Sequence, residues 1–117
     1  MPEPLINQLA QTWTEGGAYD FVPRIDPNKS NRELLEQMVQ DPGLRGEIAD
    51  LARTHGDPNV CAHALRAISL RPNAETEAVL REFFTDDREF RVMLGSFLIR
   101  KTLGEVAKHL YQRYQHR

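Results

Sequence analysis

The sequence predicts an all-α fold: a short right-handed α-solenoid of about three helical hairpins with an extra N-terminal helix. The alternative is a compact six- or seven-helix bundle. Three observations predict helices. Apolar residues recur at helical spacing along most of the chain. Helix-start signals, either Asp-Pro pairs or Ser/Thr-x-x-Glu boxes, stand before most of the apolar stretches. No window alternates with period two, so strands are not expected. At 117 residues the chain is expected to form a single domain, 1–30 as an N-terminal helix and packed loop and 31–117 as stacked helical hairpins.

The elements follow in order. A first helix over Glu3 to Trp13 carries Leu5, Ile6, Leu9, Ala10 and Trp13 on one face, and Gly16-Gly17 ends it. The next stretch, AYDFVPRIDPNK, contains Pro23 and Pro27 and cannot be regular helix; Tyr19, Phe21, Val22 and Ile25 predict a loop pinned to a helical surface. Ser30-Asn31-Arg32-Glu33 is a capping box that opens a short helix using Leu34, Leu35, Met38 and Val39. Asp41-Pro42 starts the next helix, with Leu44, Ile48, Leu51 and Ala52, which ends at Gly56. Asp57-Pro58 repeats the device before Val60, Ala64, Ala67 and Ile68, and Arg71-Pro72-Asn73 breaks that helix. A further helix over about 74–84 uses Val79, Leu80, Phe83 and Phe84. Thr85-Asp86-Asp87 reads as the cap of a helix over 87–100 with Phe90, Leu94, Phe97 and Leu98. The apolar phase then resets at Leu103, Val106, Ala107, Leu110, Tyr111 and Tyr114. Thr102-Leu103-Gly104-Glu105 is a second capping box, so a last helix is expected over 103–115, one bent helix being the alternative.

Paired, these helices make hairpins over 31–54, 58–84 and 87–115 that advance by about 28 residues, too small to bury their apolar faces singly. Three stretches, DPGLRGEIADLA, DPNVCAHALRAI and DREFRVMLGSFL, share an initial Asp and an apolar residue three positions on. The units at Asp57 and Asp87 resemble HEAT repeats, in the short form found in phycobilisome lyase-like proteins. That pattern is D-x-x-V-R-x-x-A-x-x-A-L followed by A-V-x-x-L. Asp57, Pro58, Val60, Ala64, Ala67 and Ile68 match it in one copy, and Asp87, Phe90, Arg91, Leu94, Phe97 and Leu98 in the next. Cys61 stands where the pattern has Arg, which Arg45 and Arg91 supply in the other stretches. Asp41 lies only 16 residues before Asp57 and reads as the start of a second helix, not of a full repeat. The resemblance covers about 41–117 and implies stacked hairpins that expose a concave row of side chains to a partner.

Chemistry is thin. Cys61 and His63 lack the further ligands that a zinc site needs, and a single cysteine excludes an internal disulfide framework and fits a reducing, cytoplasmic setting. His109 and His116 lie about 10.5 Å apart on a helix, too far to share an ion. His55, at a helix C-terminus, is placed where an imidazolium complements the macrodipole. DPNKSNRELLEQ opens like a calcium loop but has Asn31 in place of the glycine and Gln37 in place of the bidentate Glu. Glu75/Glu77 and Asp86/Asp87/Glu89 sit in expected first helical turns, where negative charge has a structural reason. Gly16-Gly17 is no phosphate loop. No nucleophile, base and oxyanion site assemble, so no enzyme, no cofactor and no metal are expected. Nor is a membrane span, a signal peptide or a membrane partner.

What remains is a non-enzymatic protein–protein interaction module: an adaptor, a regulatory subunit or a small inhibitor of the immunity-protein kind. Charge is uneven. Residues 1–56 carry five Lys/Arg against nine Asp/Glu, and 86–117 carry seven against four, within a net of −2. The C-terminal basic set is Arg88, Arg91, Arg100, Lys101, Lys108, Arg113 and Arg117. Phe84, Arg88, Arg91, Tyr111 and Tyr114 are the expected partner contacts, with plain core as the alternative for Phe84 and both tyrosines. The partner is another protein, a second copy of the chain being one form of it. The alternative is nucleic acid on the basic C-terminal helices, which a pI near 6.1 opposes.

Overall fold

In the computed structural model, residues 5–16, 26, 28–94 and 97–115 are described, with side chains at 6–11, 13, 26, 28–90 and 100–113. Six helices and one two-stranded sheet follow in order: α1 (Leu5–Gly16), α2 (Asn31–Met38), α3 (Pro42–Thr54), α4 (Pro58–Ile68), α5 (Ala74–Glu82), β1 (Glu89–Leu94), β2 (Phe97–Thr102) and α6 (Leu103–Gln115). The chain is thus mostly helical. The pinned loop expected around Tyr19–Ile25 lies outside the described residues.

The helix starts are made locally. Ser30 Oγ accepts the Glu33 N–H at 3.1 Å. Asp41 Oδ1 accepts the Gly43 N–H at 2.8 Å, and Asp57 Oδ1 accepts the Asn59 N–H at 2.9 Å, each with Pro at the first helical position. Asn73 Oδ1 accepts the Thr76 N–H at 2.8 Å. Each side chain satisfies an N–H that the helix itself cannot, worth about 1 kcal/mol apiece. At the other end of α3, the His55 Nδ1 accepts the Asp57 N–H at 3.0 Å, which ties the α3–α4 turn.

The core is organised about α4. Val60, Cys61, Ala62, Ala64, Leu65, Ala67 and Ile68 are all buried, so this helix is apolar nearly all round and must be enclosed. It is enclosed by α1, α3, α6 and β1, all of which contact it. Leu9 and Trp13 of α1 are buried, and the Trp13 ring stacks on His63 of α4 at 5.7 Å between centroids. Ile48, Ala49 and Ala52 come from α3, Val79 and Leu80 from α5, and Leu103, Val106, Ala107 and Leu110 from α6. Arg45 pairs with Glu75 at 3.3 Å and Arg53 with Glu82 at 2.8 Å, so α3 and α5 run in the same direction. Such surface pairs contribute about 0–1 kcal/mol each and fix alignment more than stability.

The segment expected as a helix over 87–100 is a β-hairpin. Glu89 pairs with Thr102, Arg91 with Arg100 and Leu94 with Phe97 in an antiparallel ladder. Two residues, Gly95 and Ser96, separate the strands in sequence, a spacing and composition that favour a hairpin over a continuous helix. The runs on either side hold Phe90, Val92, Phe97, Ile99 and Thr102, residue types that fit a pleated surface. The Asp87 stretch is therefore not a helical copy of the Asp57 stretch.

The hairpin delivers α6 to its place. The Leu103 N–H donates to Arg88 O at 3.0 Å and the Gly104 N–H to Asp86 O at 2.8 Å. Thr102 Oγ1 accepts the Glu105 N–H at 3.1 Å, as the second capping box requires. A Cβ at Gly104 would stand 2.7 Å from Phe84 O and 3.0 Å from Asp86 O. Only glycine lets the first turn of α6 approach the 83–86 backbone this closely.

Candidate binding surface

Two surfaces bear on partner binding, and the first holds residues expected to meet a partner. The first lies where α5 turns towards the hairpin. Phe84 and Tyr111, both half-buried, meet edge to face at 5.2 Å between ring centroids. Arg81 lies 5.3 Å above the Tyr111 ring and donates from Nη2 to its hydroxyl at 2.6 Å. The two aromatic residues thus join α5 to α6 through each other.

Arg88 is committed within the chain. Its Nη2 donates to Asp86 Oδ2 at 2.8 Å and its Nε to Asp86 Oδ1 at 3.1 Å, a two-pronged pair. Asp86 Oδ1 also accepts the Arg88 backbone N–H at 3.0 Å. The guanidinium's hydrogen bonds hold the Asp86 carboxyl below its ordinary range against the opposing effect of burial. Nη1 of Arg88 reaches Cys61 Sγ at 3.9 Å. That thiol is fully buried, donates to His55 O at 3.3 Å, and is pushed above its usual pKa by burial, partly offset by Arg88. Charge reversal at Arg88 would therefore act on the fold as well as on any partner. The side chains of Arg91 and Tyr114 lie outside the described ones, although their backbones fall in β1 and α6.

The second surface is a groove of about 580 Å³ where α2, the end of α4, β2 and α6 converge. Its lining includes Arg32 and Glu36 of α2, Arg66 of α4, Lys101 of β2, and His109 and Arg113 of α6. Four cationic side chains thus face one carboxylate. Arg32 and Glu36 pair at 3.0 Å, with side chains 74% and 49% exposed, so water screens them strongly. Among the described residues, no ion pair engages Lys101 or Arg113. Gln40, also on the lining, accepts a hydrogen bond from Arg71, which ties the turn after α2 to the turn after α4.

Lys101 and Arg113 belong to the C-terminal basic set that the sequence singles out. Arg32 and Arg66 do not, because each looks like an ordinary solvated charge on a separate helix. Only the return of β2 and α6 beside α2 and α4 brings the four together. A second groove, of about 310 Å³, runs between α3 and α5 and is walled by Gly46, Ala49, Ala78 and Val79. Among the described residues no group of three or more His, Cys, Asp or Glu could hold a metal ion, and no helix is long and apolar enough to cross a membrane. No protein-family model, curated protein or solved structure matches the chain.

Proposed function

We propose that the protein is a non-enzymatic docking module that takes an acidic segment of another protein into the groove between α2, α4, β2 and α6. The observation that carries this reading is the groove's lining: Arg32, Arg66, Lys101 and Arg113 with the carboxylate of Glu36, on a chain of net −2. A concave surface of one sign concentrates its field and draws ligands of the other. Leu70 and Leu110 on the lining add a small apolar floor. An adaptor, a regulatory subunit or a small inhibitor working in the cytoplasm fits this behaviour. Phe84 and Tyr111 serve the module by holding α5 against α6.

We propose kinship with short HEAT repeats for residues 41–82. Two successive Asp-Pro caps and the shared direction of α3 and α5 support it. In that reading α3, α4 and α5 form a short solenoid-like stack, and α2, the hairpin and α6 complete the groove at its side.

Nucleic acid is the second reading, favoured by the same four cations. Two features weigh against it. Among the described residues no Phe, Tyr or Trp lines the groove to stack on bases, and a net charge of −2 with a pI near 6.1 is unlike the basic balance of nucleic-acid-binding domains. Fluorescence anisotropy with a labelled glutamate-rich peptide tests the choice. Binding is expected to weaken by about ten-fold or more as salt is raised, and by a similar factor in the Lys101→Glu/Arg113→Glu double variant. A folded double variant that binds as tightly as the parent sinks the assignment; a single-stranded oligonucleotide that outcompetes the peptide selects the second reading.

A further inference from the structure

The groove's donors have a composition that distinguishes between kinds of anion. Three of its four cations are arginines, and they come from three separate helices, α2, α4 and α6, while the lysine comes from β2. An arginine fork presents paired N–H groups in a plane, suited to two oxygens of one ligand, whereas a lysine acts as a point charge. A carboxylate brings one negative charge and two oxygens, which a single fork satisfies. Arg32 already has that arrangement in part, with Glu36 at 3.0 Å. Lys101 and Arg113 take no such partner among the described residues. A phosphomonoester brings nearly two charges and three strong acceptor oxygens, enough to engage donors from several elements at once.

Resting on the docking reading above, we infer that the groove recognises a phosphorylated side chain within an acidic protein segment, with Arg32, Arg66, Lys101 and Arg113 as its donors. Glu36 is the internal carboxylate that the phosphoryl group displaces from Arg32. The exposed Arg32–Glu36 pair is weak enough for the exchange to cost little.

The test uses the full chain and three labelled peptides of one Asp-rich sequence, carrying Ser, Glu or phosphoserine at the centre. The phosphoserine form is expected to bind about ten-fold more tightly than the Glu form, and the Glu form more tightly than the Ser form. Millimolar inorganic phosphate is expected to displace the phosphoserine peptide where acetate at equal ionic strength does not. Arg113→Lys and Arg66→Lys keep the charge but lose the fork, so they are expected to reduce phosphoserine affinity more than Glu affinity. Circular dichroism checks that both variants fold. Equal binding of the Glu and phosphoserine forms overturns the phosphoryl inference and leaves the docking reading standing. If no peptide binds, both fall. Displacement of all three by an oligonucleotide overturns the protein-segment partner.

Discussion

The α3–α4–α5 block and the hairpin–α6 block solve one problem in two ways. Every helix start leaves N–H groups without partners inside the helix. In the first block, Asp41, Asp57 and Asn73 close those groups with their own side chains, two or three residues away. In the second, α6 borrows the backbone carbonyls of Asp86 and Arg88, which lie more than a dozen residues back and are brought round by the hairpin. Helix α3 therefore starts wherever its own sequence says so. Helix α6, despite the Thr102 cap, is placed by a close approach that depends on the whole 83–102 segment.

The contrast yields predictions that differ between the blocks. The largest effect is expected for Gly104→Ala. Its methyl group would meet the Phe84 and Asp86 carbonyl oxygens at 2.7 and 3.0 Å, and backbone cannot step aside as a side chain can. A loss of about 2 kcal/mol is expected in urea unfolding, with faster amide exchange at Leu103 and Gly104. An unchanged stability would mean that α6 does not rest on the 83–86 turn. Asp57→Ala removes a local cap and is expected to cost about 1 kcal/mol while leaving α6 protected. Exchange that rises equally in both blocks would mean that they open together.

Gly46→Ala should act in the opposite direction. Position 46 lies inside α3 and a Cβ there meets nothing within 4 Å, so helix propensity alone decides, and a gain of about 0.5–1 kcal/mol is expected. The smallest effect is confined to acid. Asp86 has a folded pKa below the ordinary value of 3.8, so its pair with Arg88 stabilises fully above that value and is lost as pH falls through the folded one. In Asp86→Asn, the acid limb of the stability profile should flatten.

How much was legible follows the same division. The starts of α2, α3 and α4 and the Thr102 cap could be read from neighbouring residues, because capping is a local event. The β-hairpin could not be read by helical periodicity alone: Phe90, Leu94, Phe97 and Leu98 also satisfy a helix stripe. Two competing signals were present. Contrary to the reading that no window alternates with period two, Phe90, Val92 and Leu94 alternate with Glu89, Arg91 and Met93, with only Met93 apolar among the latter, and Gly95-Ser96 interrupts the run at its middle. The groove was half legible. Lys101 and Arg113 stood out within a basic C-terminal stretch, but no local pattern ties Arg32 and Arg66 to them. Likewise Arg88 looked like a free surface charge until the turn placed Asp86 beneath it.

The central claim is that the working surface is the groove between α2, α4, β2 and α6. The most direct test is amide chemical-shift mapping during titration with the phosphoserine peptide. The largest changes are predicted at Arg32, Arg66, Lys101, His109 and Arg113, with little at Gly46, Ala49 and Ala78. Changes that gather instead along the α3–α5 groove, or around Phe84 and Tyr111, would contradict it.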